Sequence, residues 1–168
     1  MFRADELDLR VMELLAKDGS LTFKDLAKRL EVDKRTIAKH VQNLKRAGVL
    51  RITADIDWSK IGVNALAFVG TMTALGDEDV ARLYEYIRRE PRVVEAYSTL
   101  GSDEYFLTVL DTDIQTLREE VLRKLEPLTA DLSTAIVSTK LKEKDQASFL
   151  SFLLQRRGVR GTKTAPRS

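Results

Sequence analysis

The sequence predicts an α+β chain, with an N-terminal winged-type helix-turn-helix domain followed by a C-terminal ferredoxin-like βαββαβ domain. Three observations carry that expectation. Apolar residues recur at helical spacing in three short stretches before residue 50, strand-like and helical stretches alternate from residue 65 onward, and the charge changes sign where the two patterns meet. Residues 1–51 carry twelve Lys/Arg against eight Asp/Glu, residues 52–144 eleven against seventeen, and residues 145–168 five against one. A basic head on an acidic body implies that the head meets a polyanion and the body something else. The expected division is a helix-turn-helix domain over 1–50, a linker strand and hinge over 51–64, a ferredoxin-like domain over 65–143, and a C-terminal helix with a basic flexible tail over 144–168.

In the head, Leu7, Val11, Leu14 and Leu15 form one apolar stripe, and Gly19 follows as a stop signal. Thr22 is placed to cap a second helix, with Asp25 answering it in a capping box, and Leu26, Ala27 and Leu30 supply its buried side. Asp33 caps a third helix from Lys34 to about Ala47, which Gly48 ends in a left-handed turn. A tight second turn between short helices is the helix-turn-helix arrangement.

The third helix has two faces at ~100° per residue. Ile37, Val41 and Leu44 form the inner ridge. Lys34, Arg35, Thr36, Lys39, His40, Gln42, Asn43 and Arg46 are the candidate DNA-binding residues on the outer side and its flanks. From Lys34 to Arg51 there are six cations and no acid, so nothing there repels phosphate. Arg and Lys suit guanine edges or phosphates, and Gln and Asn can pair with adenine in the major groove. A solvated helix face normally mixes charge signs, which is the bland alternative this pattern disfavours.

Beyond Leu50, residues 51–56 alternate as a short strand and Trp58 to Gly62 reads as a connector. Strands are expected at Ala65–Thr73, Val93–Leu100, Glu104–Leu110 and Leu132–Leu141, with helices at Asp77–Glu90 and from Asp113 through Leu128. The aromatic residues Phe68, Tyr97, Tyr105 and Phe106 are expected in core or subunit packing; the basic signature of an RNA-binding sheet is missing around them. Phe149, Leu150, Phe152, Leu153 and Leu154 wrap around a C-terminal helix, for which docking on a partner subunit is the expectation.

The chain has no cysteine and one histidine, His40, which excludes thiol chemistry and Cys-based zinc sites. No catalytic residue, cofactor or metal ligand is therefore expected. No stretch approaches the ~20 apolar residues that span a bilayer. The expected setting is the cytoplasm.

These residues resemble the Lrp/AsnC (leucine-responsive regulator, feast/famine) transcription factors. LDLRVMELLAKDGSLTFKDLAKRLEVDKRTIAKHVQNLKRAGVL is similar to the family's opening module, IDWSKIG to its linker, and EPRVVEAYSTLGSDEYFLTVLDTD to its passage from second to third strand. The resemblance implies sequence-specific regulation of transcription, with double-stranded DNA as partner, by a homodimer or a tetramer or octamer built from it. It also implies an amino acid or related metabolite bound near Leu100, Gly101, Ser102, Asp103 and Glu104. Three positions depart from the pattern. Leu100 stands where the family has Thr, Glu104 where it has Asp, and His40 where an arginine is typical, which leaves the identity and the existence of an effector open. Two other functions remain open: an enzyme resembling siroheme decarboxylases, and a weakly specific architectural DNA-binding protein.

Overall fold

A computed structural model describes residues 2–73 and 76–161, with side chains through 157. The chain divides into two compact units. One is built from the N-terminal residues through Asp55 together with the segment from Lys142 onward; the other is Ile56–Leu141.

The first unit begins with α1 (Glu6–Lys17), whose N-cap Asp5 accepts from the Asp8 amide while Asp8 accepts from the Asp5 amide, a capping box of two aspartates. α2 (Phe23–Leu30) starts on the Thr22/Asp25 box expected from the sequence. Hydrogen bonds from the Thr22 hydroxyl and amide hold the Asp25 carboxyl below its ordinary range. Glu31 then turns the chain at φ +55, a left-handed conformation that a residue with a side chain adopts only at a cost of ~1–2 kcal/mol. That turn lets Asp33 cap α3 (Lys34–Arg46) through the Arg35 amide. Gly48, at φ +70, ends α3, and the Val49 and Leu50 amides both return to the Leu44 carbonyl. Val11, Leu15, Leu26, Ile37, Val41 and Leu44 form the core of this unit.

One expectation changes here. Residues 51–57 join no strand ladder among the described residues, so the wing of the predicted module is not formed as a strand. Alternation supplies the pattern of a strand but not the partner backbone that makes one, and Ile52 and Ile56 stay nearly half exposed. The C-terminal helix, numbered α7 below (Gln146–Gly161), packs on α1 of its own chain and leaves Phe149 and Phe152 exposed. Ala147 is buried there, the Ser151 hydroxyl donates to Glu13 at 2.7 Å, and the Arg157 guanidinium donates to the Ala4 carbonyl at 2.7 Å. The basic tail predicted beyond residue 161 lies outside the described residues.

The second unit opens with a 3-10 turn, Trp58–Ile61, closed by Gly62 at φ +88. It continues as β1 (Ala65–Thr73), α4 (Asp77–Arg89), β2 (Val93–Ser98) and β3 (Tyr105–Asp111). A segmented helix follows: α5 (Ile114–Leu117), a π-helical turn (Arg118–Leu122), α6 (Arg123–Leu125) and a 3-10 turn (Glu126–Leu128) that contains Pro127. β4 (Thr129–Ile136) completes the sheet, in the order β2-β3-β1-β4 with every neighbouring pair antiparallel. This is the ferredoxin-like arrangement. β2 ends two residues earlier than predicted because the Thr99 amide turns to the Glu104 carbonyl. β4 starts three residues earlier, since Thr129 already pairs with Thr73 across a bulge at Ala130 in β4, and it ends five residues earlier.

One sheet face is dry. Ala65, Ala67, Val69, Leu107 and Val109 pack there on Leu83, Leu117, Val121 and Leu125 from the helices. Period-two alternation then sends Leu66, Phe68, Met72, Phe106 and Leu110 to the other face, which no helix among the described residues of this unit covers.

Candidate nucleic-acid interface

The recognition surface follows from how α3 is seated. Ile37 and Leu44 are fully buried and Val41 is 1% exposed, so this ridge fixes the rotation of the helix about its own axis. Lys34, Arg35, Lys39, Gln42, Asn43 and Arg46 consequently lie exposed, and Thr36 is half-buried at the edge. The acid nearest to this face in sequence, Asp33, spends its carboxylate on the Arg35 amide. The result is a surface of cations and amides on a rigid helix held at both ends by caps.

His40 is the exception. Its ring turns back onto α1, where Nδ1 lies 2.7 Å from Asp8 Oδ1 and 4.0 Å from Asp5 Oδ1. The imidazole edge expected on the DNA-facing flank is therefore engaged with a buried carboxylate. Sequence reading missed this pair. The i, i+3 spacing of Asp5 and Asp8 is a capping signal that the sequence reading did not take up, and the contact between residues 8 and 40 depends on how α1 and α3 cross.

The second candidate region, Leu100–Glu104, is the turn between β2 and β3. Leu100 is fully exposed and Gly101 and Ser102 are exposed beside it, whereas Asp103 and Glu104 are tied down. The Thr99 hydroxyl donates to the Asp103 carbonyl and the Glu104 amide to the Thr71 carbonyl. The Glu104 carboxylate accepts from the Thr73 hydroxyl at 2.5 Å and amide at 3.0 Å, which holds it below the ordinary carboxylate range. Asp103 folds over β1 at Gly70, where a Cβ would come within 2.6 Å of both its Oδ1 and the Ser133 Oγ. Only a glycine at position 70 lets the carboxylate lie so close. Next to this turn, Tyr105 meets Tyr84 edge to face with the hydroxyls 3.4 Å apart, and that contact together with burial pushes the Tyr105 phenol up to about 12.

Two cavities stand out among the described residues, of about 570 Å³ along α1 and α7 and about 260 Å³ beside Trp58, Arg92 and Leu110. The turn 100–104 lines neither. Its carboxylates and hydroxyls point onto an open sheet surface, flanked by the Phe68–Phe106 pair at 5.9 Å.

A capped helix with an acid-free outer face, together with a separate ferredoxin-like unit, defines a two-domain DNA-binding regulator. The comparisons with known proteins agree. Residues 5–51 match the model of winged helix-turn-helix DNA-binding domains, and residues 66–147 match that of the Lrp/AsnC ligand binding domain. The chain is 28% identical to Transcriptional regulator AzlB of Bacillus subtilis (strain 168), over 82% of this chain and 90% of that one. It is 27% identical to Regulatory protein AsnC of Haemophilus influenzae, over 80% and 89%. Among solved structures, a transcriptional regulator from Neisseria meningitidis in complex with L-Met superposes with a TM-score of 0.79 at 19% identity, covering 84% of this chain and 94% of that one. The protein belongs to the Lrp/AsnC family of transcriptional regulators. No helix among the described residues is long and apolar enough to cross a membrane.

Proposed function

We propose that the chain is a sequence-specific regulator that inserts the outer face of α3 into the major groove of double-stranded DNA, acting by binding alone and in the cytoplasm. The carrying observation is the seating of α3: its apolar ridge is buried while Arg35, Lys39, Gln42, Asn43 and Arg46 are exposed with no acid among them. Lys34 and Arg35 sit in the first turn, from which a recognition helix reaches base edges, and Lys39 and Arg46 lie two turns apart along the same side.

The working form in this reading is a homodimer, from which tetramers or octamers are built. Its support is the uncovered sheet face, where Phe68, Met72, Tyr97 and Phe106 remain between 37% and 54% exposed. Apolar surface of this extent on a four-stranded sheet is what a second copy would bury. For the effector, the reading places an amino acid at Leu100–Glu104, its ammonium group meeting the Asp103 carboxylate while Glu104 stays engaged with Thr73. The relative solved with L-Met supports that class.

Selection of bound fragments from the source genome, with and without each amino acid, tests the whole reading. Enrichment of a shared pseudo-palindromic sequence, shifted by one amino acid, is the expected result. Retention of fragments without sequence preference would instead make the protein an architectural DNA binder. Saturable tetrapyrrole uptake with turnover would make it an enzyme.

A further inference from the structure

Asp8 poses an electrostatic problem that the DNA-binding reading does not use. It is 5% exposed, and among the described residues the ion pairs of Asp5 and Asp8 run to His40 alone, with no lysine or arginine. A carboxylate buried to that degree needs partners, and Asp8 has the Asp5 amide on Oδ2 and the His40 ring on Oδ1. An arginine at position 40 would fill that place with a fixed cation.

We propose that Asp5, Asp8 and His40 form a binding site for a divalent transition-metal ion, which ties α1 to the recognition helix. One ligand atom from each of the three lies within 4.8 Å of the others. A zinc-class ion sits ~2.0–2.2 Å from nitrogen and oxygen donors, which places adjacent donors roughly 3.0–3.5 Å apart. The separations from Nδ1, 2.7 Å to Asp8 Oδ1 and 4.0 Å to Asp5 Oδ1, straddle that range, and Asp5 Oδ1, which also accepts from the Asp8 amide, keeps a second lone pair for an ion. The carboxylates are already steered: the capping box holds Asp5 through Oδ1 and Asp8 through Oδ2, which leaves Asp8 Oδ1 outside it and turned to His40. One imidazole nitrogen with two carboxylate oxygens is a donor set for Zn²⁺, Co²⁺, Ni²⁺ or Mn²⁺ rather than for Ca²⁺. The Asp5 side chain is 60% exposed, so water can occupy the remaining positions. Bridging residues 5 and 8 to residue 40 closes a loop containing all of α2, and occupancy therefore stabilises the head.

The test uses tag-free, chelator-treated full-length protein without DNA, so its outcome is independent of the DNA-binding reading. Because His40 is the sole histidine, its ring resonances report on the site directly. Titration with Zn²⁺ is expected to shift them with saturation at one ion per chain, and Co²⁺ to give visible absorption bands that Zn²⁺ displaces. His40→Arg and Asp8→Asn, checked for folding by far-UV circular dichroism, are expected to lose more affinity than the ~10–100-fold that removing a residue behind a ligand costs. Ring resonances that stay fixed up to millimolar Zn²⁺, or equal Co²⁺ binding by the wild type and His40→Arg, would overturn the proposal. The resonance titration is made on the wild type, so it decides the matter even if a substituted chain does not fold.

Discussion

Removing two exposed cations from α3, Lys39→Ala with Arg46→Ala, tests the assigned reading face quantitatively. Both side chains are exposed and carry no ion pair among the described residues, and alanine favours the helix, so the fold is unaffected. Seven residues apart, they sit ~10.5 Å from each other along the axis, on the same side, within reach of successive phosphates. Removing one phosphate contact lowers the slope of log affinity against log salt by ~0.9. Two per head give ~1.8, so between 50 and 200 mM salt the wild type loses roughly 12-fold more affinity per head than the variant. For a pair of heads the factor is about 150. Fluorescence anisotropy on the best-selected genomic fragment and on a random duplex measures both slopes. Parallel slopes for variant and wild type would refute the placement of this surface against DNA. Arg35→Ala supplies the contrast: in the first turn of α3 it is expected to cost ~1–3 kcal/mol on the selected sequence and little on random DNA.

Other outcomes follow from the same geometry. Leu44→Ala empties a fully buried position in the head and is expected to destabilise that unit by about 2–5 kcal/mol. Trp58 and all four tyrosines lie within residues 56–141, so aromatic fluorescence should be unchanged while helicity is lost; a simultaneous collapse would mean the two cores are not separate. Phe68→Asp places a charge in the middle of the uncovered sheet face and is expected to yield monomers in light scattering with the fold intact; a dimer that persists counts against that interface. For Glu104, whose carboxyl the Thr73 hydrogen bonds depress, the stabilising contribution is present at neutral pH and disappears as pH falls below the ordinary carboxylate range. Thr73→Val is expected to move its carbon-13 titration midpoint upward, toward 4.5, and an unmoved midpoint would show that the hydroxyl is not the cause.

Much of this molecule is determined locally and was legible residue by residue. Caps at Thr22, Asp33 and Gly48, the ridge Ile37–Val41–Leu44 and the order of strands and helices depend on contacts within a few residues or on simple periodicity. The direction of the α3 outer face belongs to the same class, because one buried ridge on a regular helix fixes all other directions. Tertiary structure decided what periodicity cannot encode. Residues 51–56 have a strand's alternation but no neighbouring strand, and β4 begins where Thr73 meets Thr129 rather than where its own pattern starts. The broad apolar girth of α7 did not name the surface it packs on; folding put one side of it on α1 and left Phe149 and Phe152 exposed. His40 looked like one more donor on a basic helix. Helix crossing brought it to Asp8, thirty-two residues away, and a contact that distant exists only once the chain has folded.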